Sequence, residues 1–110
     1  MEAPQAITAL SALAHEARLA IFKLLVQAGP EGLPAGAIAN RLALAPSALS
    51  FHLKELTSAG LLMRQPDGRN VVYRAGFPTM NALIGYLTLN CCQGEACALN
   101  MGAACEASRA

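Results

Sequence analysis

A mainly α-helical chain with one small β-hairpin is what the sequence predicts, and three observations carry that prediction. Apolar residues recur at helical spacing through most of residues 4–60. After Gly60 the pattern shortens to two strand-like runs around Pro66-Asp67-Gly68-Arg69, a strong turn signal. Ala and Leu supply most of the 55% hydrophobic content and Trp is absent, a composition that favours closely packed helices over a large ligand cavity.

At 110 residues the chain is long enough for one domain and short for two. Pro4 to Leu13 carries Ile7, Leu10 and Leu13 at helical spacing and predicts a first amphipathic helix. A second is expected from about His15 to Ala28, with Leu19, Phe22, Leu25 and Val26 on one side and Gly29-Pro30 as its stop. Gly32-Leu33-Pro34 should open a short third helix running through Leu42, apolar at Ile38 and Leu42. Leu44-Ala45-Pro46 is then a tight connection into a fourth helix that ends before Gly60. Pro46 suits its first turn, and Gly60 suits the left-handed position past its end.

On that fourth helix Leu49, Leu53 and Leu56 share a narrow arc and form the buried stripe. Ser47, Ser50, Phe51, Lys54 and Ser58 fall on the opposite arc, with His52 on the flank. Short hydroxyls, an aromatic ring and a lysine suit the floor of a DNA groove, where hydroxyls reach base edges or phosphates and a ring touches a thymine methyl. Two short helices joined by a tight connection, the second with a polar outer face, fit a helix-turn-helix.

Leu61–Gln65 and Asn70–Arg74 read as the two strands of the hairpin, the wing of a winged helix. Arg69 at its tip is placed to enter a minor groove or meet a phosphate, whereas Arg64 and Arg74 are expected on a solvated strand face. From Phe77-Pro78 a last helix should run to about Asn90, with Met80, Leu83, Ile84 and Leu87 as its stripe and Tyr86 at the edge. A small domain has too little core to bury so many amphipathic elements. The first and last helices are therefore expected to pair with a second copy, which would also set two reading helices one DNA turn apart. The predicted fold is a dimeric winged helix-turn-helix, with DNA binding and dimerisation in residues 1–92 and a flexible, cysteine-containing tail in residues 93–110.

Net charge is only +1, but its distribution is uneven. From Arg41 to Arg74 there are five basic residues against two acidic ones, a local excess of the kind a phosphate-facing surface needs. The start of the chain has no secretory pattern, and no apolar run approaches the roughly 18 to 20 residues that span a bilayer. The expected location is cytoplasmic, with no membrane partner. There Cys91, Cys92, Cys97 and Cys105 are expected to be binding or sensing thiols. A Gly-rich phosphate loop and paired carboxylates are missing from the sequence, so an enzyme is not expected.

Four stretches together resemble the ArsR/SmtB family of metalloregulatory repressors: Ala12 through Leu25, Ser50 through Leu56, Ala59-Gly60-Leu61-Leu62, and Gly68-Arg69 through Val72-Tyr73-Arg74. With the last helix included, the resemblance covers roughly residues 10 to 90. It implies a homodimer that represses its own operon and leaves double-stranded operator DNA when an inducer binds. It also implies that Ser47, Ser50, Phe51 and His52 lie in or beside the DNA-reading surface, where Ala48, Lys54 and, on the wing, Arg69 are expected to join them.

The family's sensor sites differ between members. Many arsenic sensors carry Cys-Val-Cys in the helix before the recognition helix, but Pro34-Ala35-Gly36-Ala37-Ile38-Ala39 has no cysteine. The zinc sensors use Asp, His and Glu on the last helix, and Phe77 to Leu89 has none of these. What remains is Cys91-Cys92 with Cys97 beyond, similar to arsenite-responsive members with a vicinal pair at the end of the last helix. Trivalent arsenic bonds three thiolates in a pyramid, and soft donors without imidazole suit it. Gly94 permits the bend that would bring Cys97 back. Cys97 is favoured over Cys105 as the third ligand because the shorter loop costs less entropy to close. The expected inducer is As(III) or Sb(III), with no resident cofactor. Methylated arsenicals, zinc, another thiophilic metal and thiol oxidation are the alternatives.

Overall fold

The computed structural model describes residues 1–90, so all four cysteines and the expected tail lie outside the described residues. The elements run α1 (Ala3–Leu13), α2 (Glu16–Ala28), a 3-10 turn (Gly29–Glu31), β1 (Leu33–Pro34), α3 (Ala35–Leu42), α4 (Pro46–Ser58), β2 (Leu62–Asp67), β3 (Asn70–Ala75) and α5 (Phe77–Leu87). The three strands form an antiparallel sheet in the order β1-β3-β2. Ile21, Leu25, Ile38, Leu56 and Leu61 are the largest fully buried side chains among the described residues and mark the core between the helices and the sheet.

The fourth helix forms as the spacing predicts. Pro46 occupies its first turn, and Leu49, Leu53 and Leu56 are buried. Gly60 then turns the chain at φ +79°. A Cβ there would sit 2.9 Å from the Thr79 hydroxyl, so only glycine both takes this conformation without strain and lets α5 approach. The hairpin also forms, but its strands reach further into the turn. Pro66 pairs with Val71 and Asp67 with Asn70, leaving Gly68-Arg69 as a two-residue turn of the usual hairpin length.

Four expectations are corrected. The third helix does not begin at Gly32, because Leu33 and Pro34 pair with Tyr73 and Val72 as an edge strand. A residue before proline is pushed away from the helical region, and proline is tolerated only at a sheet edge. Gly32 itself sits at φ +67°, where a Cβ would collide with the Tyr73 carbonyl oxygen. Next, the inward face of α1 is Ala6, Ala9 and Ala12, whereas Ile7 and Leu10 are exposed. Small side chains let α1 lie close against α2 and α4, and the same choice turns the larger residues outward. The buried face of α2 is likewise Ile21, Phe22 and Leu25, with Leu19 and Val26 exposed. Lastly, α5 ends at Leu87, short of Asn90, and only Leu83 of its stripe is fully buried. No helix among the described residues is long and apolar enough to cross a membrane.

Candidate nucleic-acid interface

The outer face of α4 is the centre of the interface. Ser47, Ala48, Ser50, Phe51 and Lys54 are exposed, and Phe51 keeps 54% of its surface open. The cap position Ala45 has no side chain that can accept from the first turn, and Pro46 has no N–H to satisfy. The backbone N–H groups of Ser47 and Ala48 therefore stand free at the positive end of the helix dipole, a natural seat for a phosphate.

His52 does not share that exposure. It is 9% exposed, and its Nδ1 accepts a hydrogen bond from Arg18 Nε–H at 3.1 Å. Its ring lies 4.7 Å from that of His15 and 5.9 Å from that of Phe51. The structure thus places His52 beneath the reading surface, as a contact between α2 and α4. Burial pushes the imidazole below its usual range, and the neighbouring His15 and then Arg18 add to the shift. A value depressed below 6.5 means that His52 contributes stability fully present above about pH 6.5 and lost as pH falls through the folded value. Thermal unfolding followed downward from about pH 7.5 should show Tm falling more steeply for the wild type than for His52→Asn below about pH 6.5. Parallel profiles for the two proteins would contradict this.

The wing adds cations. Arg69 stands at the hairpin tip in the two-residue turn. Arg64 is exposed, as expected of a solvated strand face, and it also joins Lys54, Ser50, Thr57, Ser58 and Tyr73 around a cleft of about 260 Å³ between α4 and the root of the wing. Two cations, hydroxyls and a phenol line this cleft with no acid among them, and Thr57 Oγ1 is buried there without a hydrogen-bond partner among the described residues. Such a lining suits the DNA backbone. Sequence reasoning missed the neighbourhood of Arg64 and Lys54 because it depends on register: Arg64 pairs with Tyr73 across the hairpin, and that pairing brings it beside Lys54. Among the described residues no group of three or more His, Cys, Asp or Glu gathers as metal ligands.

A helix whose polar face is exposed, an uncapped N-terminus and a cationic wing define a winged helix-turn-helix DNA-binding protein. A family model described as a helix-turn-helix domain matches residues 13–65. The transcriptional activator HlyU of Vibrio cholerae is 34% identical over 91 residues, 83% of this chain and 82% of HlyU. Nodulation protein NolR of Rhizobium meliloti is 33% identical over 79 residues, 72% of this chain, but the chain spans only 62% of NolR's length. Among solved structures, an ArsR-like transcriptional regulator from Rhodococcus superposes with a TM-score of 0.68 at 28% identity, covering 76% of each chain. Reduced HlyU gives 0.64 at 32% identity, covering 81% of this chain and 90% of that one. A homodimeric winged helix-turn-helix DNA-binding domain from Mycobacterium bovis gives 0.65 at 25% identity, covering 78% of each. The chain belongs to the ArsR-type family of winged helix-turn-helix transcription regulators, and it is a DNA-binding regulator of transcription.

Proposed function

We propose that the protein is a homodimeric repressor of an arsenic-resistance operon, released from its operator when As(III) or Sb(III) binds the thiolates of Cys91, Cys92 and Cys97. The carrying observation is where the cysteines follow in the chain. Helix α5 ends at Leu87, exposes Leu87 at 58% and is followed by Leu89 at 70%. Cys91-Cys92 comes next in the sequence. Ile7 and Leu10 of α1, which packs against α5, are exposed as well. This apolar surface supports a dimer contact, and a homodimeric assembly is named for the Mycobacterium bovis neighbour. A ligand gathered at the end of α5 would then act directly on the packing of the two protomers. The distance between the two recognition helices would change with it, and the match to successive major grooves would be lost. Cys105 is the further candidate ligand.

Arsenic-edge absorption on the full chain tests the ligand set. Three sulfur neighbours are expected in the wild type, and fewer in each of Cys91→Ser, Cys92→Ser and Cys97→Ser. An oxygen-only shell in the wild type would remove the proposal. Loss on Cys105→Ser with Cys97→Ser silent would exchange the third ligand.

A second reading is favoured by one comparison, the similarity to HlyU, of which a reduced form has been solved. In that reading two of the cysteines join as a disulfide, releasing two protons and two electrons to an oxidant such as hydrogen peroxide. HlyU is also named an activator, so the direction of regulation is part of the test. Release of DNA by peroxide and not by arsenite would favour this reading.

A further inference from the structure

We propose that Arg18, on α2 and outside the recognition helix, is a positioning residue for DNA reading: it fixes the pose of Phe51 and does so through His52. The inference rests on the outer face of α4 being the DNA-reading surface.

One side chain holds two consecutive residues of α4. Arg18 Nε–H donates to His52 Nδ1 at 3.1 Å, while its guanidinium carbon stands 5.4 Å from the centroid of the Phe51 ring. A guanidinium held over an aromatic face within about 6 Å of its centroid is attracted by the ring quadrupole. Phe51 is more than half exposed, so little else restrains its rotamer. A ring that reads a thymine methyl must be presented in one pose, because ordering it on binding would cost affinity.

The support is built in layers. His15 caps α2 by accepting from the Ala17 N–H at its Nδ1, 3.1 Å away, and its ring packs at 4.7 Å against that of His52. His52 thus uses Nδ1 as an acceptor, which assigns it the neutral form with the proton on Nε2. The charged or titratable groups around His52 are few. His15 and Arg18 come from α2, and Glu55, one turn further along α4, borders with Arg18 a hollow of about 340 Å³. Helix α1, which also packs on α4, contains no ionisable residue, and Arg41 of α3 and Arg64 of β2 are exposed. Protonation of His52 would remove the acceptor and leave the Arg18 Nε–H without its partner.

The test uses the full chain and a duplex selected by the wild type from a random library, with a scrambled duplex as reference. The readout is discrimination, the ratio of the two dissociation constants. Arg18→Gln is expected to lower discrimination by about tenfold and to change scrambled-duplex affinity by no more than about threefold. Phe51→Ala should lower discrimination by a similar factor, and the double variant should fall little further, since the two residues act as one unit. Effects that multiply, or an equal loss on both duplexes, would overturn the proposal; the latter would mark Arg18 as a phosphate contact.

His52→Asn, whose Oδ1 replaces Nδ1 as acceptor, should keep discrimination and hold it constant as pH falls from about 7.5 to below about 6.5, whereas the wild type declines only below about pH 6.5. His52→Leu should lose it. If Arg18→Gln does not fold, this pair decides alone, and equal losses in the two variants would overturn the proposal. A wild type that selects no duplex would remove the reading surface itself, and Arg18's role with it. A wild type that selects, beside an Arg18→Gln that discriminates as well, overturns only the role of Arg18.

Discussion

Ile7→Glu combined with Leu87→Glu should convert the protein to a monomer and lower operator affinity by about 10²–10⁴-fold. Both side chains are among the most exposed large apolar residues of the structure, at 61% and 58%. They lie on α1 and α5, the two helices in contact with each other at one side of the domain. Neither belongs to the core cluster, so the substitutions should leave each protomer folded. The affinity change comes from geometry. When two recognition helices are joined, the second engages its half-site at a high effective concentration, and that advantage is absent from a monomer. Sedimentation measures the assembly and fluorescence anisotropy the affinity. A double variant that sediments as a dimer would place the protomer contact elsewhere.

Lys54→Gln with Arg64→Gln should weaken binding to all DNA sequences alike. If each side chain neutralises one phosphate, a dimer loses four contacts and the slope of log K against log salt becomes shallower by about 3 to 4. At 0.1 M salt the affinity should fall on the order of 10³-fold, with discrimination between sequences preserved. The cleft these two residues share contains no acid, so removing either leaves no carboxylate unpaired. Titrations at several salt concentrations give the slope directly. An unchanged slope would mean that the cleft stays open to solvent in the complex.

The parts of this molecule that the sequence made legible are those set by local chemistry. Pro46 and Gly60 bound the recognition helix because one fits a first turn and the other a left-handed exit. The leucines between them point inward by periodicity alone. The hairpin follows from its turn residues. What was not legible depends on close approach or on distant partners. In α1 the series Ile7, Leu10, Leu13 and the series Ala6, Ala9, Ala12 have the same period. Hydrophobic size favours the first, yet helix-to-helix distance selects the second. Strand β1 is two residues long and exists only because β3, some forty residues later, accepts it. His52 reads as a flank residue on a helical wheel, and its burial requires Arg18 and His15 from α2. Arg64 acquires its neighbours only through hairpin register.

In the proposed function, metalloid at the cysteines and DNA at α4 oppose each other through the dimer. By linkage, whatever arsenite costs the operator complex, the operator must cost the arsenite complex equally. Anisotropy titration of the selected duplex with and without arsenite reads that coupling. The expected result is an affinity lowered on the order of 150-fold by arsenite, a coupling of about 3 kcal/mol, with no response from the Cys91→Ser, Cys92→Ser double variant, which should bind DNA as the wild type does. Identical wild-type affinity in the two titrations would contradict the account.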